Sequence, residues 1–170
     1  MSNASTQTAP AVPKSAPPRP PAAAIARFTG ITLVMLAALA VVGWLTGLAV
    51  FNPPIAASAV IVAATPLLPA AQPRSVVVGQ LASAVVGYLL ALLGHSVWVA
   101  AVAGALALTV MLALRAMHAP AAATAALIVA SHPPALDFLA ALLIGGVIVV
   151  ALGVLAARLP KSPTYPGYWW

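Results

Sequence analysis

Acidic residues are nearly missing from this 170-residue chain: Asp137 stands alone against seven Lys and Arg. One carboxylate leaves no partner for paired acid and base chemistry, so two-carboxylate hydrolysis is excluded and no enzyme is expected. Cysteine is absent altogether, which removes disulfide frameworks, thiolate nucleophiles and thiolate metal sites. Charge of either sign is scarce, at 5% of residues against 64% hydrophobic. A globule in water needs more polar surface than this, and the composition is that of a membrane protein in a lipid bilayer. Its natural unit is the spanning segment of about 20 apolar residues, of which the length allows about four to six.

The net charge of +6 raises the question of nucleic acid, but the basic residues stand at segment ends and form no face interleaved with aromatics. They read as topology signals, and no nucleic-acid partner is expected. Nor is a cofactor: His132, before Pro133 and Pro134, lacks the neighbouring ligands of a metal site and reads as a loop residue.

Residues 1–27 are rich in Ser, Ala and Pro and carry Lys14, Arg19 and Arg27; a disordered cytoplasmic tail is expected. The uncharged stretch 28–50 outruns the roughly 7–15 residue core of a signal peptide, so it anchors. Segments 75–93, 97–115 and 138–157 are also long enough to cross as helices of roughly 30 Å. Two shorter stretches, 54–71 and 120–136, open on proline and are interrupted by Pro66 with Pro69 or by Pro133 with Pro134. They fit either broken spans or re-entrant half-helices.

A shift of 66 positions lays one half of the chain on the other: Asn52 falls on His118, Pro54 on Pro120, Ser58 on Thr124. The half-repeats are 28–93 and 94–159, within a transmembrane region 28–160. If all six segments cross, Arg74, Arg115, Arg158 and Lys161 fall on the cytoplasmic side with both termini, and Asp137 faces out. If the short segments are re-entrant, Arg74 and Arg115 break the positive-inside rule. The expected fold is an all-α polytopic helical bundle, an inverted 3+3 repeat of six apolar segments with two short proline-led helices. Four full spans plus two re-entrant half-helices is the alternative. The aromatic end 161–170, with Tyr165, Tyr168, Trp169 and Trp170, is expected at the lipid headgroups.

Polar groups in hydrocarbon are costly, and here they cluster beside the short segments. Asn52 and His118 precede helix starts marked by Pro53, Pro54 and Pro120, where unpaired N–H groups and the positive dipole end favour an anion. Arg115 precedes His118 by three residues and shares a face with it if the helix continues; otherwise it snorkels to headgroups. Ser58 and Thr124 fit a substrate bond or a bond to their own helix backbone. Gln80 lines a polar path or pairs across a helix interface. Arg74 is a ligand or a topology charge. Gly43 with Gly47, and Gly79 with Ser83 and Gly87, form small-residue faces for close helix packing within the bundle or between subunits. A homodimer is one way for so short a chain to enclose a pathway.

These residues carry a likeness. The chain resembles the HPP family of small integral membrane proteins, over residues from about 51 to 160. The similar pieces are Asn52-Pro53-Pro54 followed by Ala57-Ser58-Ala59-Val60, the run Ala71-Gln72-Pro73-Arg74-Ser75 through Gly79, and Met117-His118-Ala119-Pro120 through Thr124-Ala125. Ser75 stands where relatives commonly have asparagine, and His118-Ala119-Pro120 replaces the eponymous His-Pro-Pro. His132-Pro133-Pro134 repeats those letters without the Ala-x-x-x-Thr context that follows Pro120. The resemblance implies a bacterial inner-membrane protein without enzymatic chemistry, and it implies structural roles for Pro73 and Gly79; chloroplast and cyanobacterial relatives are associated with nitrite transport. The leading expectation is a transporter or facilitator of a small inorganic anion such as nitrite. The competing one is a structural or accessory subunit acting through helix packing, with an embedded enzyme third.

Overall fold

The computed structural model describes residue 16 and residues 18–169, and it holds six α-helices and no strand among them. In chain order these are α1 (Ala22–Thr46), α2 (Pro53–Ala64), α3 (Pro73–Ala91), α4 (Val97–Ala113), α5 (Ala119–Ser131) and α6 (Ala135–Ala156), with a 3-10 turn at Pro69–Ala71 before α3. The helix α1 starts at Ala22, so residues 22–27 are helical and do not belong to the expected tail; alanine-rich sequence favours helix as soon as the prolines end. The disorder expected for residues 1–15 and 17 lies outside the described residues.

By length and apolar composition three helices, α1, α3 and α6, are long enough to cross a membrane. The expected fourth, 97–115, is shorter: α4 has 17 residues and ends at Ala113, because the chain turns at Leu114 and Arg115 takes a left-handed φ of 54°. Proline punctuates the short helices. In α2, Pro53 and Pro54 occupy the first turn and Asn52 Oδ1 accepts from Ile55 N–H at 3.1 Å; a missing N–H costs nothing there. The helix stops at Ala64, ahead of Pro66.

Small residues let the helices approach closely. The α2 helix runs beside α6, with Ile55 against Gly145 and Val62 against Gly153; α5 runs beside α3, with His118 against Gly79 and Ile128 against Gly87. These contacts are reciprocal under the 66-residue shift. Gly79 faces Ala116 and Gly145 faces Val50; Gly87 faces Ile128 and Gly153 faces Val62. Whole helices obey the same exchange: α3 with α5 answers α6 with α2, α4 with α5 answers α1 with α2, and α3 with α4 answers α6 with α1. Between the halves α3 and α6 run antiparallel: Val77 lies against Gly146 at mid-helix, and Tyr88 near the end of α3 donates its hydroxyl to Pro133 O, just before α6, at 3.1 Å.

The basic residues from Arg27 onward gather at one end. Arg27 Nη1 donates to Lys161 O at 2.6 Å and Arg74 Nη2 to Leu114 O at 2.9 Å, while Asp137 sits in the first turn of α6 at the other end. After α6 the chain folds back beneath this basic end as a strap. Tyr165 is 5% exposed, its hydroxyl donates to Ala71 O at 2.9 Å, and Gln72 Oε1 accepts from Gly167 N–H at 2.8 Å. The C-terminal end is therefore not simply associated with headgroups: Tyr165 is built into the bundle, and Tyr168 and Trp169 are exposed. Trp170 lies outside the described residues.

Burial pushes the Tyr165 phenol above its ordinary value of 10.0. A raised folded-state value means that its contribution is complete below pH 10 and is lost as pH climbs through the folded value. Alkaline difference absorbance of wild type against Tyr165→Phe is expected to reveal a phenol still protonated at pH 10, and the stability advantage of wild type is expected to shrink only above that pH. Ionisation of Tyr165 in step with free tyrosine would show that the strap does not bury it.

Candidate functional site

The start of α5, the middle of α2 and the first half of α3 meet in a closed polar cluster. Its side chains are Ser58 on α2, Gln80 on α3, His118 at the N-cap of α5 and Thr124 within α5, each with no exposed surface. Such groups are tolerated in an apolar interior only when hydrogen-bonded, and here the bonds form a chain. Thr124 Oγ1 donates to Gln80 Oε1, and Gln80 Nε2 donates to Ser58 Oγ at 3.0 Å. Ser58 Oγ lies 2.7 Å from His118 Nε2, and His118 Nδ1 lies 2.6 Å from Ala70 O in the 3-10 turn.

A carbonyl can only accept, so the hydrogen-bond pattern assigns a proton to His118 Nδ1 and leaves Nε2, in the neutral ring, as a lone pair facing Ser58. Ser58 has one hydroxyl hydrogen and two acceptors within reach, His118 Nε2 at 2.7 Å and Pro54 O at 2.8 Å. One further hydroxyl, Ser83 on the face of α3 that carries Gly79 and Gly87, is fully buried and has no hydrogen-bond partner.

Four of the seven candidate ligands are thus brought together: Ser58, Gln80, His118 and Thr124. The other three stand apart. Asn52 is spent on its own helix: Oδ1 caps Ile55 N–H, its backbone carbonyl accepts from Ala56 N–H at 2.9 Å, and Nδ2 donates to Ala49 O at 2.8 Å. With Pro53 and Pro54 lacking N–H, the first turn of α2 has no free donor for an anion, contrary to the expectation from its dipole end. Arg74 donates to Leu114 O at the C-cap of α4, where a cation suits the negative helix end. Arg115 is exposed beyond the end of α4 and its positive φ breaks the helix, so it shares no helical face with His118.

The positions equivalent under the shift are used differently. His118 makes no cap bond to its own helix because its ring is turned toward Ser58 and Ala70, whereas Asn52 caps locally. Ser58 and Thr124 do meet, through Gln80. Pro120 occupies the first turn of α5 as expected, and Pro73 opens α3 two residues before the expected segment; a Cβ on Gly79 would come within 3.0 Å of His118 Cβ, so the glycine seats the histidine.

Two participants were hidden from the sequence. Ala70 contributes only a backbone carbonyl, which has no sequence signal. Gln72, 1% exposed, holds Pro66 O with Nε2 at 2.8 Å and the strap with Oε1; its place in the run Ala71-Gln72-Pro73-Arg74 was the available signal. At the opposite end His132 bonds His95 across the loops, and no group of three or more metal-ligating side chains exists among the described residues. Two apolar grooves along α6, of about 550 and 540 Å³, are lined by residues outside the cluster.

The cluster thus gathers Ser58, Gln80, His118 and Thr124 from three helices in one buried place. The match to the family described as HPP, transmembrane region, covers residues 16–166. The chain belongs to the HPP family. Comparison with curated proteins and with solved structures returns no match. As an HPP-family member it is a polytopic, multi-pass membrane protein, and His118-Ala119-Pro120 opens the α5 helix on which the cluster is built.

Proposed function

We propose that this HPP-family protein carries a small inorganic anion, nitrite first among the candidates, across a bacterial inner membrane. The observation that carries the reading is the cluster itself: equivalent hydroxyls from the two halves, Ser58 and Thr124, converge on Gln80 beside a buried imidazole. Buried polar groups in a membrane interior mark substrate pathways.

The inverted 3+3 arrangement of six crossings belongs to the same proposal. Reciprocal contacts at Gly79 with Gly145 and at Gly87 with Gly153, together with antiparallel α3 and α6, support a two-fold axis perpendicular to the helices. Such an axis lies in the membrane plane, and transporters built this way bind substrate where the halves meet. The shared end of Arg27, Arg74 and Lys161 supports placing both termini in the cytoplasm.

A structural or accessory subunit is the second reading, and the closure of the cluster favours it: Ser58, Gln80, His118 and Thr124 all find partners inside the chain. Nitrite uptake into liposomes separates the two. Purified wild type is expected to give saturable uptake above empty liposomes, reduced at least about tenfold by His118→Ala, equivalent to about 1.4 kcal/mol of barrier. Folded wild type that gives no uptake would leave the accessory role.

A further inference from the structure

We propose that the proton is the coupling ion and that His118 Nε2 carries it, one proton with each anion; this rests on the anion-transport reading above. The hydrogen-bond geometry allows both charge states of the ring without moving a heavy atom. In the neutral ring Ser58 O–H donates to Nε2 at 2.7 Å. When a proton adds to the Nε2 lone pair, Nε2–H donates to Ser58 Oγ and the serine hydrogen turns to Pro54 O at 2.8 Å. Nδ1–H stays on Ala70 O, and Gln80 continues to donate to Ser58 Oγ. Every buried donor and acceptor of the relay is satisfied in either state.

Charge then dictates the stoichiometry. The ring is fully buried, and an uncompensated imidazolium in that position is costly. The charged groups on the elements around it are Arg74 at the start of α3 and Arg115 before α5, both of the same sign as the added proton; α2, the 3-10 turn and α5 carry none. The only acid of the chain, Asp137, stands at the start of α6 at the opposite end. The protein therefore supplies no counterion. The arriving anion is that counterion, and the anion is equally costly without the imidazolium. Ser83, buried with a free hydroxyl on the α3 face that meets α5, is the unspent donor for it. At one membrane face the proton adds to Nε2 as the anion enters; at the other Nε2–H gives the proton back as the anion leaves, and Ser58 O–H returns to Nε2. No covalent bond to the anion forms.

Liposomes holding the full-length protein and a trapped pH dye test this with nitrite, after subtraction of uptake by empty liposomes. The expected result is lumenal acidification of one proton per nitrite, with the rate unchanged when the membrane potential is clamped positive or negative. Protein-dependent nitrite uptake without proton entry, accelerated by an inside-positive potential, would overturn proton coupling and leave transport standing. Absence of uptake would overturn both. Independently of flux, histidine-selective 15N spectra of the wild type in nanodiscs should show one of the three histidines as the neutral Nδ1–H tautomer without nitrite and doubly protonated with it. That resonance is assigned by its loss in His118→Gln. A ring whose protonation state ignores nitrite would refute the proposal.

Discussion

Gly87→Ala is expected to destabilise the bundle by about 1–3 kcal/mol, the range for inserting an extra carbon into a packed interior, and to lower nitrite uptake with it. The added methyl would lie 2.9 Å from both Cα and O of Ala125 and 3.0 Å from Ile128 Cβ. Two of those atoms are helix backbone and cannot turn aside, so α3 and α5 must separate. The separation falls where Gln80 meets Thr124. The exchange-related Gly153→Ala meets the Tyr165 ring and Val62 Cγ1, both at 2.7 Å. Those are side chains and the ring belongs to the strap, so a smaller loss is expected. At Gly104 the nearest atom is Ala122 O at 3.5 Å; there alanine makes ordinary contact, and its helix propensity should stabilise by up to about 1 kcal/mol. Thermal unfolding of the three variants in one detergent gives the order. Equal melting temperatures for Gly87→Ala and Gly104→Ala would show that α3 and α5 do not pack as described.

Thr124→Val is expected to cost more than its size suggests, because the isosteric change leaves Gln80 Oε1 without a donor in a fully buried site. An orphaned acceptor costs about 1–3 kcal/mol, whereas replacing both partners by apolar groups of similar shape is close to neutral. Gln80→Leu alone strips the hydrogen bond from Thr124 and a donor from Ser58, although Thr124 can turn to its own helix backbone. The double variant is therefore expected to be more stable than the sum of the two single losses. A coupling of about 1 kcal/mol is expected, within the range measured between membrane helices. Additive losses would mean that the two side chains do not bond across α3 and α5.

The polar residues were identifiable one by one because each is an anomaly in a hydrophobic context. Ser58, Gln80, His118 and Thr124 break apolar stretches, and hydropathy makes such breaks visible. Their convergence was only partly legible. The 66-residue shift paired Ser58 with Thr124, but nothing along the chain indicated that Gln80 joins them, since its position under the shift is Gly146 on α6. One amide serves both hydroxyls. The pairing of Arg115 with His118 failed for a local reason: spacing implies a shared face only while the helix continues, and α4 ends at Ala113.

What the sequence determined by itself follows from rules that act over a few residues. Apolar runs select membrane helices, prolines set where α2, α3 and α5 begin, and the scarcity of acid denies the buried histidine a carboxylate counterion within the chain. Tertiary structure alone decided which group each nitrogen of His118 meets, that the chain after α6 returns as a strap, and that Gln72 ties this strap to the loop beside the cluster. Those links join residues tens of positions apart, often through backbone carbonyls that every residue possesses. Composition and periodicity carry no record of them, because the energy of such a bond depends on where two distant segments come to rest.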